Sequence, residues 1–489
     1  MQQRLLAPEP VSARAHRARR LSFGFGRRFF LVTLLGLFWA IPAFWDARFL
    51  LVMAAWDACA VVAWAIDLAR LPRADRLVIE RSWAHPPSLS NSTEVTLELR
   101  NQSGVAIECS VLDDLPRSLA PQPGPPEPGL PDRAAFAQSG MAGRAGFART
   151  GVEAPEVTIK APARDSASAR YTVRPLERGD VKLGAAYLRY RSGSHFAERW
   201  ARVALEQTIR VFPDLEDAKR HNIYLSRARQ IELERRLIRQ RGVGREFESL
   251  REYQPGDEFR NICWTATARR GRHVTKLFQV ERSQAIWIVM DAGRLLRARV
   301  GELSKLDLSV NAALSLAQIA LYSGDRVGLL VYGRNVQQRI GLGRGLSHMR
   351  SLMEGLASAR EEIAEADHLR AASALLQLQR QRALIIWITD LADSSMTPEV
   401  IESASRILSK HLLLFTVIAQ TDLNELASRT PESVEELYEI AAAQEMVHRR
   451  ETLIGKVRNQ GALALEIAPS RLTTTLVNQY LDVKERNLI

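Results

Sequence analysis

The chain has 489 residues, of which 46% are hydrophobic and 25% are charged, and its formal net charge is +12. This composition excludes a disordered chain, and the length allows two to four domains of about 100–200 residues each. The three cysteines, Cys59, Cys109 and Cys263, lack the spacing of a zinc site or a disulfide framework, so we expect a reducing compartment.

The positive charge is concentrated in two segments. Residues 1–28 contain seven Arg and one Glu, and residues 226–282 contain fourteen Lys or Arg and eight Asp or Glu. The rest of the chain is electrically balanced. Because the basic residues of the second segment alternate with Glu, we expect no nucleic-acid partner.

Residues 29–66 predict a hairpin of two transmembrane helices. The first run, 29–45, has no charge, and the second, 49–66, contains only Asp57. Each run is about as long as the ~17–25 apolar residues that cross a bilayer. A cleaved signal peptide and a buried pair of soluble helices are the alternatives.

The arginines around this hairpin predict its orientation. They precede the first run and follow the second, whereas the short loop between the runs holds one. The positive-inside rule therefore predicts a multi-pass inner-membrane protein of a bacterium, with both termini cytoplasmic and residues 1–28 as a basic cytoplasmic N-terminus. Asp57 is either a functional intramembrane carboxylate or a neutral or helix-bonded one, and we favour the second interpretation.

Residues 77–213 predict an antiparallel β-sandwich. Runs near 77–81, 95–100, 171–174, 181–191 and 203–211 alternate or are rich in strand-forming residues. Residues 121–156, rich in Pro, Gly and Ala, interrupt these strands and predict a flexible insert.

Residues 214–282 predict a charged linker helix followed by a compact motif. Pro255 and Gly256 favour a turn, and Asp257 is placed to cap a short helix that would run to about Ala268. Gly271 would end that helix, and a strand would follow at 274–280.

Residues 283–489 predict an α/β doubly wound domain. Apolar runs near 285–290, 327–331, 383–389, 412–418 and 462–467 alternate with helix patterns, as in a buried parallel sheet. Asp291 and Asp390 follow two of these runs, at the strand ends where such folds bind ligands.

The motif resembles the family known as domain of unknown function fifty-eight. The residues that carry the resemblance are Gly244, Glu246, Phe247, Leu250, Arg251, Glu252, Tyr253, Pro255, Gly256, Asp257, Arg260, Ile262, Trp264, Ala268, Arg269 and Glu281. The family layout is also similar: a membrane hairpin, a β-rich middle, this motif and a von Willebrand factor A-like domain. Cys263 departs from the pattern, since many members have Asp there.

The motif residues suit either domain docking or partner binding. Docking would bury Trp264 and pair Arg251 and Arg260 with Glu252 or Asp257. The candidate residues for either role are Arg251, Glu252, Tyr253, Pro255, Gly256, Asp257, Arg260, Trp264 and Arg269.

The resemblance to von Willebrand factor A domains implies a metal site that this chain has lost. In that family, Asp-x-Ser-x-Ser, a later Thr and a second Asp bind the ion. Here the first loop begins at Asp291 without either Ser, Ala366 occupies the expected Thr position, and Asp390 remains. Mg²⁺ prefers several oxygen ligands, so we expect weak or no binding, with Arg294 pairing with Asp291 or Asp390 instead of the metal.

The sequence therefore predicts a non-enzymatic, membrane-anchored scaffold or adaptor without a cofactor. The family resemblance implies a MoxR-type AAA+ ATPase as partner, in the assembly or maturation of other proteins. A metal-dependent adhesion module of the von Willebrand factor A type is the alternative. The sequence contains no Gly-rich phosphate loop and no HExxH or GxSxG motif, so no motif of these kinds indicates a hydrolase.

Overall fold

The computed structural model describes residues 8–18, 22–122, 155–214, 246–255, 257–279, 283–391, 397–486 and 488. The chain divides into two compact units, Met1–Phe212 and Pro213–Ile489. Most of the predicted insert at 121–156, nearly all of the predicted linker helix and Gly256 lie outside the described residues.

The first unit contains a helical segment between two parts of a sheet. Its helices are α1 Arg27–Gly36, α2 Ala40–Ala43 and α3 Arg48–Arg70, with a 3₁₀ turn at Leu37–Trp39. The indole of Trp56 on α3 donates a 2.8 Å hydrogen bond to the Val32 carbonyl on α1. Trp39 stacks on Phe49 with ring centroids 6.2 Å apart. The two helical runs therefore pack side by side.

Among the described residues, α3 is the one helix that is long and apolar enough to cross a membrane. Its buried residues are only Ala60 and Asp67, so most of its apolar surface is exposed. The first predicted span differs from a single helix, because a 3₁₀ turn and α2 follow α1. Pro42 lies in α2, and a proline lacks the amide and crowds the preceding turn.

The strands of the first unit form one long antiparallel sheet and a separate pair. They are β1 Val11–Arg17, β2 Phe23–Phe25, β3 Leu77–Trp83, β4 Thr93–Asn101, β5 Ile107–Asp113, β6 Leu119–Gln122, β7 Glu156–Ala161, β8 Ser166–Pro175, β9 Gly179–Leu183, β10 Ala186–Ser192, β11 Ala197–Val203 and β12 Gln207–Val211. The long sheet has the order β6-β8-β4-β3-β1-β11-β10-β5-β7, β2 pairs with β11, and β9 pairs with β12.

Alternating side chains give this unit its core. Leu77 and Ile79 on β3, and Val95, Leu97 and Leu99 on β4, are fully buried, whereas the residues between them are not. This is the period of two that the sequence shows. The predicted strand at 181–191 is instead two strands, β9 and β10, which are separated by Gly184.

Residues 1–28 are not only a basic tail, which corrects the sequence prediction. β1 lies between β3 and β11 in the sheet, with Val11 opposite Arg81 and Ala15 opposite Val203. Ala15 is buried, and the Arg and His residues of β1 are exposed. The inward-facing residues of β1 are mostly small, so the hydrophobic alternation of a strand is weak there and the positive charge dominates the sequence pattern.

The second unit begins with the motif, which forms a small hairpin. β13 Glu246–Glu252 pairs antiparallel with β14 Val274–Gln279. A 3₁₀ turn at Phe259–Asn261 and α4 Trp264–Arg270 lie between the strands. Gly271 ends α4 in the left-handed conformation, with φ of 66°, as predicted. The predicted cap is wrong, because the N-cap position of α4 is occupied by Cys263 and not by Asp257.

The remainder of the second unit is an α/β layer structure. Its strands are β15 Ala285–Asp291, β16 Arg299–Val300, β17 Leu303–Ser304, β18 Arg326–Tyr332, β19 Val336–Gly343, β20 Leu384–Thr389, β21 Leu412–Ile418 and β22 Leu463–Ile467. Its helices are α5 Lys305–Tyr322, α6 Gly345–Ser358, α7 His368–Leu378, α8 Thr397–Leu408, α9 Thr421–Ala427, α10 Val434–Asn459 and α11 Leu472–Glu485.

The main sheet has the order β19-β18-β15-β20-β21-β22 and is parallel except for β19. The neighbouring strands β15 and β20 are buried over their whole length. The Trp287 face of β15 packs in one cluster with residues of α7, α8 and α10. α5 contacts β15 and β18 and also packs against α11. The carboxyl ends of β15 and β20 are therefore neighbours at one edge, where Asp291 and Asp390 lie.

Candidate functional site

The carboxyl edge of the main sheet places Asp291 and Asp390 in the protein interior. Asp291 is the last residue of β15, and its side chain accepts hydrogen bonds from the Gly293 amide at 2.7 Å and the Thr389 hydroxyl at 2.6 Å. Asp390 follows β20 and accepts from the Leu391 amide at 2.7 Å. Asp291 is 3% exposed and Asp390 1%.

Two basic side chains occupy the space beside Asp390. Lys305, the first residue of α5, has its Nζ 2.6 Å from Asp390 Oδ2. Arg450, in the middle of α10, has its Nη2 2.8 Å from Asp390 Oδ1 and also donates to the Leu391 carbonyl. All three side chains are buried. Every oxygen of the two carboxylates thus already accepts a hydrogen bond.

Arg294 does not take the predicted place of a metal ion. Its guanidinium lies 2.6 Å from Glu365 Oε1, and both side chains are about half exposed. The predicted pairing of Arg294 with Asp291 or Asp390 is not seen, and Lys305 and Arg450 pair with Asp390 instead. Ala366 does lie beside this loop, because a Cβ added at Gly293 would come within 3.0 Å of the Ala366 methyl group.

Burial shifts the pKa of Asp291 and of His368. Desolvation raises the pKa of Asp291 to about 7, and the nearby Asp390 charge adds to the effect, against the hydrogen bonds from Thr389 and Gly293. Burial also lowers the pKa of His368 to about 4. The His368 ring lies 2.9 Å from the Tyr332 hydroxyl, and the Trp387 indole donates to that hydroxyl at 2.6 Å.

The motif forms the second candidate site, and its own hydrogen bonds hold its shape. The Tyr253 amide donates to the His273 carbonyl, and the Cys263 amide donates to the Val274 carbonyl, each at 2.8 Å. Ile262 and Val274 are buried beneath this connection. The segment between the two strands therefore folds back over its own hairpin.

Three ion pairs join charged side chains within the motif. Arg251 lies 2.6 Å from Asp257, as predicted, whereas Arg260 pairs with Glu258 at 2.6 Å and Arg272 with Glu252 at 2.9 Å. The Gln254 amide donates to the Asp257 carboxylate at 3.0 Å, and this bond, with the Arg251 charge, lowers the pKa of Asp257.

Four rings form a row on the motif surface, which we call the aromatic row: Phe259, Tyr253, His273 and Trp264. Neighbouring ring centroids are 5.8, 6.4 and 6.4 Å apart in that order. Phe259 is 75% exposed and Trp264 65%. Domain docking, one of the two roles considered for the motif, would bury Trp264, whereas in this structure its side chain is exposed.

Arg269 and Arg270 are exposed at the end of α4, and neither has an acidic partner among the residues that the structure describes. Pro255 is also exposed, in the turn before Asp257. The motif thus presents unpaired positive charge next to large exposed rings.

In the described motif, Cys263 and His273 do not form a nucleophile–base pair. Cys263 Sγ lies 3.4 Å from the Thr265 hydroxyl, and this contact lowers the pKa of the Cys263 thiol. The His273 ring contacts Tyr253 and Trp264 instead. A catalytic dyad needs its base within hydrogen-bond reach of the nucleophile.

Sequence reasoning missed Lys305, Thr389 and Arg450. Thr389 carried a signal, since it directly precedes Asp390 at a strand end. Lys305 and Arg450 carried none, because they are 85 and 60 residues from Asp390 and lie in unremarkable helix patterns.

Comparison with known proteins finds a family match within the second unit. Residues 249–437 match the family model described as protein of unknown function DUF58. The uncharacterized protein Rv1480 of Mycobacterium tuberculosis is 28% identical over 151 residues, which are 30% of this chain and 48% of that protein. The uncharacterized protein YeaD of Bacillus subtilis is 29% identical over 117 residues, which are 24% and 27%.

The chain thus spans about half, or less, of the length of these relatives. A crystal structure of the conserved hypothetical protein BatB from Bacteroides thetaiotaomicron aligns with a TM-score of 0.27 and 14% identity. The alignment covers 42% of this chain and 100% of the BatB chain. At this TM-score the likeness is too weak to assign a fold.

The chain is accordingly a two-unit protein whose second unit carries the family motif and a mixed α/β sheet. Residues 249–437 are a domain of the DUF58 family.

Proposed function

We propose that the protein is a membrane-anchored, non-enzymatic scaffold that docks a protein partner through its motif. The observation that carries the proposal is the aromatic row with its adjacent unpaired arginines. Exposed aromatic and Arg side chains are the residue types that dominate protein–protein binding energy. A surface of this kind is costly for a monomer to expose without a partner.

The carboxyl edge of the main sheet supports a role other than metal-dependent adhesion. A divalent cation would have to displace hydrogen-bonded donors from Asp291 and Asp390 and approach the positive charges of Lys305 and Arg450. These two cations supply the charge that a metal would supply in a von Willebrand factor A-like domain, which is the fold we propose for the α/β part of the second unit.

Strand pairing in the first unit supports a two-helix membrane anchor. β1 precedes the helical segment and β3 follows it, yet the two strands pair in one sheet. Both must then lie on the same side of a bilayer, so the segment must cross it an even number of times. α3 supplies one crossing, and the run formed by α1 and α2, which is about 25 Å long, supplies the return.

The family resemblance suggests a MoxR-type AAA+ ATPase as the partner, in the assembly or maturation of other proteins. We propose the inner membrane as the location, with the sheet of the first unit and the whole second unit cytoplasmic.

Capture of the tagged full chain from native membranes in mild detergent tests the scaffold role. We expect an AAA+ ATPase to be enriched with the wild type and lost with Phe259→Ser/Trp264→Ser. As a matched control, Tyr322→Ser removes another exposed ring, 51% exposed at the end of α5, and should leave the capture unchanged. Equal recovery of the ATPase with all three chains, or with none, would contradict the proposal.

A further inference from the structure

The second unit has an exposed apolar helix face far along the chain from the motif. At the start of α10, Val434, Leu437, Tyr438 and Ala441 are all exposed. Val434 is 65% exposed, Leu437 51% and Tyr438 73%. Their spacing of i, i+3, i+4 and i+7 places them on one side of the helix, as in a helix that inserts its apolar side into a partner. We call these four residues the helix face.

The helix face lies apart from the buried side of α10. The opposite side of α10 holds the residues that enter the core, including Ile440, Ala443 and Leu453. α9 packs beside α10, and Gln444 donates to the Ala427 carbonyl at 3.0 Å. α10 is therefore held in place by its other side, and the helix face is free to contact another molecule.

Acidic residues surround the helix face. Residues 421–445 contain seven Asp or Glu and a single Arg. Glu435 and Glu439 are exposed, and neither has a basic partner among the described residues. The face thus combines a strip of apolar side chains with a strong negative charge.

The motif has the complementary character. Residues 249–276 contain six Lys or Arg and three Asp or Glu. The three acids are already paired with Arg251, Arg260 and Arg272, which leaves Arg269 and Arg270 as exposed positive charges. Trp264, at the other end of α4, lies about 8–9 Å along the helix axis from them.

We propose that the aromatic row and Arg269 and Arg270 of one copy bind the helix face of a second copy of this chain. Opposite charges would steer and orient the contact, while the exposed rings and the apolar strip would exclude water. The inference deepens the proposed scaffold role by naming a partner for the same motif.

The geometry of the proposed contact has a consequence for assembly. Two different surfaces meet, so a bound pair retains an unused helix face on one copy and an unused motif on the other. A contact of this kind closes into a ring or continues as a row. Anchoring all copies in one membrane with the same orientation favours both outcomes over aggregation in three dimensions.

The test is self-association of the purified full chain in detergent, measured by energy transfer between donor-labelled and acceptor-labelled copies. Arg269→Glu/Arg270→Glu and Glu435→Arg/Glu439→Arg should each weaken association at least tenfold. Because the contact depends on charge, association should also weaken between 0.05 and 0.5 M salt. Arg380→Glu/Lys410→Glu reverses two exposed charges elsewhere on the unit and should have no effect.

Mixtures give the decisive result. Labelled copies of the two reversed variants, mixed with each other, should associate with each other, because an intact motif meets an intact helix face and a reversed motif meets a reversed helix face. A chain with all four reversals should associate with itself again. Monomeric wild type at tens of micromolar in low salt, or reversals that have no effect, would overturn the proposal. So would reversals that weaken association without rescue in either experiment.

The helix-face variant separates this proposal from the scaffold role. An ATPase that docks on the motif directly is captured equally well by Glu435→Arg/Glu439→Arg, whereas a motif occupied by a second copy responds to that change. Unaltered self-association of Glu435→Arg/Glu439→Arg, together with ATPase capture that still depends on Phe259 and Trp264, would therefore reject the second copy and retain the scaffold.

Discussion

The titration of Asp291 is coupled to folding. Burial raises its pKa to about 7, whereas an unfolded Asp titrates near 3.9. Between these values the folded chain binds more protons than the unfolded chain. Its contribution to stability is therefore complete below about pH 4 and is lost as the pH rises through 7. At one pKa unit per 1.36 kcal/mol, the full loss is on the order of 4 kcal/mol.

Asp291→Asn should remove this dependence, because the amide cannot ionise. Calorimetry gives the melting temperature of the second unit in the variant and in the wild type. We expect the variant's value minus the wild-type value to increase by several degrees between pH 5 and pH 8. His368, whose lowered pKa acts in the opposite direction, is present in both proteins and cancels. Glu361→Gln, at an exposed acid, should follow the wild type. A difference that is constant with pH would contradict the prediction.

The same cluster shows where sequence reasoning stops at the residue scale. Asp291 and Asp390 were found because strand-end positions can be read from hydrophobic runs. The cations that face Asp390 could not be found, because Lys305 and Arg450 reach it only after α5 and α10 have packed on the sheet. Arg294 was chosen for its nearness in sequence, and it pairs with Glu365.

At the scale of elements, Asp67 joins α3 to the sheet of the first unit. It is buried near the end of α3, and its carboxylate accepts from the Ser192 hydroxyl at 2.5 Å and from the Phe196 and Ala197 amides at 3.0 and 2.8 Å. The Ser194 hydroxyl is a further donor. One carboxylate thus accepts hydrogen bonds from four donors in and beside the loop between β10 and β11.

Asp67→Ala should release that loop, because two backbone amides lose their acceptor. Hydrogen exchange by mass spectrometry should be at least ten times faster in peptides that cover residues 192–197, with strands β4 and β8 unaffected. A lost buried hydrogen bond typically costs about 1–3 kcal/mol, which is the size of that change. Asp75→Ala, at an exposed acid just after α3, is the control. Unchanged exchange in the loop would show that other contacts hold it.

The elements differ in how well their sequences identify them. β15, β18, β20, β21 and β22 lie at the predicted apolar runs, because strands buried on both faces need continuous hydrophobicity. β19 was missed, since this edge strand is at most half-buried and includes polar residues. β1 was missed for a similar reason. The exposure of Trp264 depends on which surfaces the fold leaves uncovered, and a local sequence pattern cannot predict that.

At the scale of the whole molecule, the pairing of β1 with β3 determines what any membrane topology must satisfy. It requires residues before α1 and after α3 to share one side of the bilayer, whereas the turn near Asp46 lies on the other side of a two-helix anchor. Each location can be tested with single cysteines in a chain whose native cysteines are replaced. Suitable exposed sites are Ser12 in β1, Asp46 in the turn and Lys182 in β9.

A membrane-impermeant maleimide applied to intact spheroplasts should label Asp46→Cys and leave Ser12→Cys and Lys182→Cys unlabelled. After permeabilisation all three should react, and the parent chain without cysteine should not. Different labelling of Ser12→Cys and Lys182→Cys in intact cells would contradict the strand pairing itself. Protection of Asp46→Cys until permeabilisation would instead mean that the helical segment lies against the cytoplasmic face. The arginines flanking the segment favour the crossing, because they precede and follow the helices and are nearly absent between them.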